Sequence, residues 1–246
     1  MNPILAAAEV GMEADVQRLR TISHNLANVD TVGFKRGIAV NSGFERQPAP
    51  GATNGAAGAP AIGSVATYTD RSPGTLRHTG NPLDLAIEGN AYFVIDTGTQ
   101  DAYTRQGTFR VNADGELVNA FGQLVETSGG NVRLTSPAPV IDSQGYIHDN
   151  GTVVGQLKLV SVSNPGSLQD VGNGLYIPTD ATGAPDPASP DTARVRQGFT
   201  EASNVVSMTE MVHMLETVRH FEATQKILQG YQEMLDRSIT DLGSNQ

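Results

Sequence analysis

Two histidines near the end of the chain, His213 and His220, have the spacing of side chains that share one face of a helix. Histidine pairs of this kind contribute to many zinc sites. Seven residues at 1.5 Å per residue, however, place them about 10 Å apart, which is too far for one ion without further ligands. The pair therefore predicts ordinary surface or interface histidines, and we expect no metal site.

Two other stretches contain residue types that bind calcium or phosphate. Asp142 and Asp149 lie near glycines, but the regular spacing of a calcium loop and its closing Glu are missing. The glycine-rich stretch 51–63 lacks the Gly-Lys-Ser/Thr ending of a phosphate-binding loop. Hairpin turns and a linker explain these segments better. With no Cys and no nucleophile elbow, we expect no enzymatic activity and no cofactor, although a scattered Ser/His/Asp triad leaves no spacing signature.

Composition and charge narrow the class of protein further. Only 38% of the 246 residues are hydrophobic, aromatic residues make up 5% and Trp is absent, so the core is small for the length. The net charge of −10 disfavours nucleic acid and direct membrane contact, because phosphates and anionic lipids would repel the chain. The first residues lack the basic region of a secretory signal, and no stretch is apolar enough to span a membrane. We expect any export to proceed without a cleaved signal peptide.

The N-terminal segment has the apolar periodicity of an amphipathic helix. Its apolar residues recur about every 3.4 residues, which favours a coiled-coil-like seam. Asn2 supplies a helix cap, and Pro3 fits the first helical position because its missing N–H has no partner there anyway. The N-terminal seam through which we expect the subunit to assemble consists of Leu5, Ala8, Met12, Val16, Leu19 and Ile22.

The C-terminal segment repeats this pattern over a longer distance. Ser207 and Glu210 fit a capping box, with Asn204 as the competing cap. The predicted helix is longer than the N-terminal one, so part of its apolar stripe should lie beyond that helix and be covered by neighbouring subunits. The predicted C-terminal seam consists of Met208, Met211, Leu215, Val218, Phe221, Leu228, Tyr231 and Leu235.

The middle of the chain is cut into short β-strands by turn residues. The segments 47–64 and 178–192 are rich in Pro, Gly and Ala and read as irregular excursions. The run from Val153 to Val162 predicts one strand, with Lys158 on the solvent-facing side. Turn dipeptides predict hairpin tips at Asp114-Gly115, Gln144-Gly145 and Asn150-Gly151.

These patterns predict an α+β fold, in which paired N- and C-terminal coiled-coil-like helices accompany a central, mostly antiparallel β domain. The predicted boundaries are 1–34 for the N-terminal helix and turn, 35–80 for an extended linker or β-hairpin region, 81–202 for the β-rich outer domain and 203–246 for the C-terminal helix.

One stretch after the first helix is far more specific than these patterns. It reads Ser-His-Asn-Leu-Ala-Asn-Val-Asp-Thr-Val-Gly-Phe-Lys over 23–35, and it resembles the N-terminal signature of the flagellar rod and hook proteins. The resemblance covers almost the whole chain except 47–64 and 178–192. Further blocks that resemble this family follow in the same order at 81–89, 102–109, 114–117 and 197–205.

The signature also has a physical reading as a helix stop. Asn25 and Asn28 are predicted to bond the carbonyls exposed at the helix end, Thr31 to cap locally, and Gly33 to allow a backbone turn that a Cβ would forbid. Leu26 and Phe34 would clamp this turn. The residues of the signature turn are Asn25, Leu26, Ala27, Asn28, Thr31, Gly33 and Phe34.

The resemblance implies a structural axial subunit of the flagellar basal-body rod, located within the periplasm. It implies a helical tube that transmits torque and lets exported subunits pass. The implied partners are copies of itself, other proximal and distal rod proteins, and the type III export apparatus. The stretch Val218–Glu222, Val-Arg-His-Phe-Glu, looks more like the proximal rod protein than the distal one, which more often has Arg-Ala-Tyr-Glu. The alternatives are the distal rod protein and, from another class, a secreted coiled-coil adhesin or effector.

Overall fold

A computed structural model describes residues 3–41, 65–130, 132–162, 166, 168–179, 186–188 and 193–243. The predicted excursion at 47–64 lies outside the described residues, as does most of 178–192. Within the described residues, neither helix carries an apolar stretch long enough to cross a membrane.

The chain forms two helices with eighteen short strands between them in the described part. This bears out the predicted α+β class and the antiparallel pairing of the middle of the chain. The elements, in chain order, are α1 (Pro3–Ala27), β1 (Gly37–Asn41), β2 (Val65–Thr69), β3 (Leu76–His78), β4 (Leu85–Gly89), β5 (Tyr92–Asp96), β6 (Asp101–Thr104), β7 (Arg110–Val111), β8 (Leu117–Val118), β9 (Leu124–Val125), β10 (Val140–Ile141), β11 (Tyr146–Asp149), β12 (Thr152–Gln156), β13 (Leu159–Ser161), β14 (Leu168–Gly172), β15 (Leu175–Pro178), β16 (Asp186–Pro187), β17 (Ala193–Gln197), β18 (Phe199–Glu201) and α2 (Ser207–Gly243).

These elements divide into two compact units, neither of which is one continuous segment. Unit 1 consists of 1–27, 37–69 and 206–246, and unit 2 consists of 28–36 and 70–205. The four sequence-derived boundaries given above stay predictions.

Unit 1 contains the two helices and the ribbon formed by β1 and β2. Asn25 of α1 bonds Glu210 of α2, and Asp15 bonds His220, so the two helices run antiparallel. Continuing this register places the start of α1 opposite the region near Gln232. The last turns of α2, which reaches Gly243, therefore extend past the beginning of α1.

Unit 2 is built around β5, the strand at the centre of its largest sheet. The order in that sheet is β14-β15-β6-β5-β9-β8-β7, with β13 also paired to β5. Phe93 and Ile95 belong to the main apolar cluster, while Tyr92 and Val94 belong to a second one. Because successive side chains of a strand point to opposite faces, β5 is buried on both sides, which explains its unbroken apolar sequence.

The predicted single strand from Val153 to Val162 is wrong, because the chain changes pairing partners in the middle of it. β12 pairs with β11, whereas β13 pairs with β5 and β16. At the break, Leu157 N–H donates to the Gly145 carbonyl and Lys158 N–H donates to the Glu126 carbonyl. Apolar alternation continues across such a change of sheet, so the sequence alone shows no boundary.

The predicted hairpin tips are confirmed. Gly115 and Gly145 have φ angles of +82°, in turns that connect β7 with β8 and β10 with β11. Asn150 and Gly151 connect β11 with β12, and both have positive φ angles, as a two-residue hairpin turn of this kind requires.

Candidate assembly site: the signature turn and the paired helices

Asn25 of the signature joins three elements of unit 1. Its buried side chain donates from Nδ2 to the Gly37 carbonyl at 2.8 Å and accepts from the Gly37 N–H at 2.8 Å. Nδ2 also donates to Glu210 Oε2 at 3.1 Å. The amide therefore holds the start of β1 as a neighbouring strand would, and it links α1 to α2. The prediction that Asn25 bonds carbonyls at the helix end is wrong, because the returning chain at Gly37 satisfies the amide instead.

The next part of the signature, in unit 2, forms the tight turn that the sequence predicts. Thr31 N–H donates to the Asn28 carbonyl at 3.1 Å, and the Thr31 hydroxyl donates to Asn28 Oδ1 at 3.1 Å. Gly33 has a φ angle of +69°, which favours glycine. A Cβ at Gly33 would also lie 2.7 Å from the backbone carbonyl carbon of Arg105, so space as well as conformation excludes other residues.

Directly after this turn, Lys35 enters a buried cluster of charged side chains that the sequence reading did not identify. Lys35 Nζ donates to Glu201 Oε1, and also to the Ser72 carbonyl at 2.8 Å. Arg105 Nη1 donates to Glu201 Oε2 at 3.4 Å, and the Gly74 N–H donates to Glu201 Oε1 at 2.8 Å. The three charged side chains are at least 96% buried. Two cations thus share one carboxylate away from water.

Burial lowers the pKa of the Lys35 ammonium group below its ordinary value, while the Glu201 carboxylate acts in the opposite direction. Arg105 bonds the Ile87 carbonyl at 3.2 Å and the Gly89 carbonyl at 2.6 Å, which fixes its guanidinium group on β4. The cluster therefore ties the signature segment to β4 and β18. It has the form of a structural lock rather than a catalytic site.

Asn204 forms a second clamp on the signature segment of unit 2. Its Oδ1 accepts from the Arg36 N–H at 2.7 Å, and its Nδ2 donates to the carbonyls of Asp70 and Ser72 at 2.9 and 3.1 Å. The sequence reading treated Asn204 as a competing helix cap, and that role is wrong because both ends of its amide are used here. The sequence contains one signal for these residues, which is that they lie in the blocks that resemble the family. Lys35 lies in 23–35, Arg105 in 102–109, and Glu201 and Asn204 in 197–205.

The N-terminal seam residues lie mainly on the less accessible side of α1. Ile22 is buried, and the other five, Leu5, Ala8, Met12, Val16 and Leu19, are half-buried. The side chains of Ala14 and Asp15 are also buried. Asp15 accepts from His220 Nδ1 at 2.5 Å, with Arg18 at 3.5 Å. The role of these residues in assembly stays a prediction.

The C-terminal seam residues are divided between two faces of α2. Val218, Phe221, Leu228 and Tyr231 are half-buried, and they share a side of the helix with the buried Glu210 and Thr217. By contrast, Met208 and Leu215 are 72% and 60% exposed, and Met211, Val212 and Leu235 are exposed too. The seam residues of α2 therefore form two stripes rather than one continuous seam. One stripe is half-buried within unit 1, and the other is exposed.

The remaining signature and histidine positions are also accounted for. Leu26, Asn28, Thr31 and Phe34 are half-buried, and Ala27 is exposed. His213 lies 3.6 Å from Glu216 on the same helix, while His220 reaches across to α1. No group of three or more side chains suited to a metal ion occurs among the described residues.

Comparison with known proteins finds three matching family descriptions, which together span most of the chain. Residues 5–35 match the flagella basal body rod protein family, 86–183 match the flagellar hook protein FlgE/F/G D1 domain, and 196–242 match the flagellar basal body rod FlgEFG protein C-terminal region. The first match contains the signature turn and Lys35, the second contains Arg105 and the third contains Glu201.

Full-length relatives carry two different names. The flagellar basal-body rod protein FlgG of Bacillus subtilis (strain 168) is 32% identical over 93% of this chain and 95% of its own length. FlgF of Mesorhizobium japonicum is 31% identical over 98% of this chain and 97% of its own length. FlgG of Caulobacter vibrioides is 31% identical over 94% and 96% of the two chains.

Proposed function

We propose, from the premise that this chain belongs to the flagellar basal-body rod protein family, that it is the proximal rod protein FlgF. Members of this family are structural subunits and not enzymes, and they assemble with other rod components of the basal body. The proximal position, the contacts with neighbours and the export route are the parts that we propose.

The gaps in the alignments support FlgF over FlgG. The alignment with FlgF of Mesorhizobium japonicum runs over 245 positions and covers 98% of this chain, and that with FlgF of Caulobacter vibrioides runs over 230 positions and covers 92%, so few gaps fall in this chain. The alignments with FlgG relatives from Bacillus subtilis and Caulobacter vibrioides each run over 254 residues, so they require insertions relative to this chain. The Val218–Glu222 stretch points the same way, and its His220 is the residue that bonds Asp15 across the helix pair.

The observation that carries the assembly model is the uncovered apolar stripe of α2. Met208, Met211, Val212 and Leu215 follow the i, i+3, i+4, i+7 spacing of one helix face, and all four are exposed. Exposed apolar stripes of this length mark protein interaction surfaces. Subunits related by a rotation that does not close would bury this stripe against neighbours and so build a helical tube.

In this tube the paired helices would line a central passage for exported subunits. The hydrogen bonds of Asn25 would stiffen unit 1, and the ion pairs of Glu201 would stiffen unit 2, against the torque that the rod transmits. We further propose export by the flagellar type III apparatus without a cleaved signal peptide, and a final position in the periplasmic part of the rod.

The decisive experiment is electron microscopy of basal bodies isolated from the native host after deletion of this gene. Rods that are missing or stop close to the inner membrane, and that the wild-type gene restores, are the expected result for the proximal protein. A rod that lacks only its outer portion would transfer the assignment to FlgG. Intact rods and hooks would contradict the proposed function and favour a secreted adhesin or effector.

A further inference from the structure

The C-terminal half of α2 carries an exposed apolar stripe that is separate from the α2 stripe at 208–215. Its members are alternately four and three residues apart, which places them on one side of the helix. Ile227 and Met234 are 67% and 61% exposed, and Ala223 and Gly230, which alternate with them, are exposed too. A Cβ at Gly230 would have no neighbouring atom within 4 Å, so this side of α2 is open. We call Ala223, Ile227, Gly230 and Met234 the second stripe.

The two exposed stripes lie on opposite sides of the face that packs on α1. The less accessible positions of this face are again alternately four and three residues apart, and they are Glu210, Met214, Thr217, Phe221, Thr224, Leu228 and Tyr231. At about 100° per residue, the centre of the α2 stripe lies about 130° to one side of the covered positions nearest to it. The centre of the second stripe lies about 110° to the other side. The helix therefore presents apolar surface on both of its flanks.

A helical assembly requires such surfaces in pairs. Copies related by a rotation that does not close meet through two different patches, so a patch that faces one neighbour needs a complementary patch on the same chain. Four side chains cannot supply the roughly 800 Å² per partner that a stable pair of proteins buries. Each stripe is therefore too small to hold a dimer by itself, whereas a chain with a neighbour on each flank uses both.

The charges at the ends of the two stripes are complementary. Glu222 lies seven residues after Leu215 and continues the α2 stripe, whereas Arg237 lies three residues after Met234 and continues the second stripe. Both charged side chains are exposed, and none of the residues in the two stripes is charged. An acidic group thus follows one apolar surface and a basic group follows the other.

The positions of the stripes along α2 define how two copies would be shifted. The midpoint of 208–215 is at position 211.5 and that of 223–234 is at position 228.5, which is 17 residues further along the helix. At 1.5 Å per residue, two parallel α2 helices that match these midpoints are displaced by about 25 Å. In that arrangement Glu222 of one helix lies about 3 Å, measured along the axis, from Arg237 of the other. One displacement therefore matches the apolar stripes and the opposite charges together.

We propose that the α2 stripe of one copy of this chain packs on the second stripe of a second copy, with the two helices parallel and displaced by about 25 Å. The inference rests on the proposed function and deepens it, because it names the surface that covers the α2 stripe. The long side chains of the α2 stripe enter the space that Ala223 and Gly230 leave in the second stripe. The contact joins two different surfaces, so it continues from copy to copy without closing.

The absence of cysteine from the chain allows a direct test by cross-linking. Met208→Cys places a thiol in the α2 stripe, and Ala223→Cys places one in the second stripe. Basal bodies whose rods contain the double variant should give a ladder of covalent oligomers after treatment with a short bismaleimide. The matched control combines Met208→Cys with Gln225→Cys, which is also exposed but lies on the opposite flank of α2, and it should give no ladder.

Four outcomes would overturn the proposal. Equal cross-linking from the Gln225 control would remove the preference for one flank, and a dimer from Met208→Cys alone would mean that two α2 stripes meet each other. A ladder from Met208→Cys with Val40→Cys instead would place the α2 stripe on the exposed face of the β1–β2 ribbon. The absence of a ladder in complete rods would mean that other rod proteins are the neighbours. That last outcome leaves the rod function intact, which the deletion experiment tests by itself.

An exchange of charges provides the second readout. Glu222→Arg and Arg237→Glu, each expressed as the only copy of the chain, would bring like charges together at every contact. We expect each to lower the number of complete rods by about tenfold or more. The double variant restores opposite charges and should recover rods, while hydrogen exchange of α1 and α2 in the free protein should be equal in all variants because both side chains are exposed. A double variant that is as defective as the single ones, or more so, would contradict the proposal.

Discussion

Replacing Glu201 by Gln should be more damaging to unit 2 than replacing the lysine that it binds. The neutral side chain would leave Lys35 and Arg105 buried together without an anion. The carboxylate now accepts hydrogen bonds from Lys35, Arg105 and the Gly74 N–H. The NH₂ group of Gln is itself a donor, so it would face at least one of these donors without forming a hydrogen bond. Breaking a buried ion pair from one side typically costs about 3–5 kcal/mol. We therefore expect a loss of about that size in the free energy of unfolding of unit 2.

Lys35→Met should cost less, because the remaining charges balance. Glu201 would keep Arg105 and the Gly74 N–H, and the repulsion between the two cations would disappear. The losses are one charge-assisted hydrogen bond and the bond to the Ser72 carbonyl, which together amount to about 1–3 kcal/mol. The double variant Lys35→Met/Glu201→Gln should be destabilised by less than the sum of the two single variants.

Native-state hydrogen exchange, measured by mass spectrometry on the full-length chain, is the suitable assay. It reads peptides from β4 and β5 separately from those of the helices, so the two units are not averaged. The matched control is Glu88→Gln, which removes the same charge from the exposed pair with Arg196 and should barely change exchange. If Lys35→Met destabilises β5 more than Glu201→Gln does, the reasoning about two cations sharing one carboxylate is refuted.

Further predictions concern the turn, the helix pair, the assembly stripe and pH. Gly33→Ala should destabilise unit 2 by several kcal/mol (roughly 2–4), because it combines a positive φ angle with a Cβ contact of 2.7 Å; thermal unfolding of the free protein measures this, and an unchanged midpoint would contradict it. Asp15→Asn should weaken the pairing of α1 with α2, seen as faster exchange in 5–25 with no change in β5; equal protection in both proteins would show that the His220 bond is dispensable. Leu215→Asp should stop incorporation into rods while the chain is still made, whereas Gln225→Asp, at an exposed polar position of the same helix, should be tolerated; normal motility of the Leu215 variant would count against the α2 stripe. Because the pKa of Lys35 is lowered in the folded state, the unfolded chain binds more protons below pH 10.5, so the stability of wild-type unit 2 should rise relative to Lys35→Met as the pH is raised towards 10.5; a parallel pH dependence of the two proteins would contradict this.

The sequence was sufficient for features that depend on local spacing. The two terminal helices, the antiparallel middle, the hairpin tips and the need for glycine at position 33 all follow from patterns within a few residues. The family follows from the ordered match of several such blocks.

Features that depend on distant partners could not be predicted in the same way. Lys35 and Glu201 are 166 positions apart, and no periodicity connects them. The division of the α2 seam also escaped prediction, because Met208 and Leu215 continue a helical apolar pattern just as well as Phe221 does. A helix that is apolar on two faces does not reveal from its own sequence which face its intramolecular partner will cover.

The order of the segments in unit 2 has a consequence for the time at which the unit can close. Residues 28–36 belong to unit 2, but Glu201, whose carboxylate binds Lys35 of this segment, is synthesised 166 residues after Lys35. During synthesis at roughly 5–20 residues per second, Lys35 would wait on the order of 8–33 s before Glu201 is even available. A chain that emerges from a narrow passage with its N-terminus first meets the same delay. The connectivity thus keeps unit 2 from closing until Glu201 has joined the segment that contains Lys35.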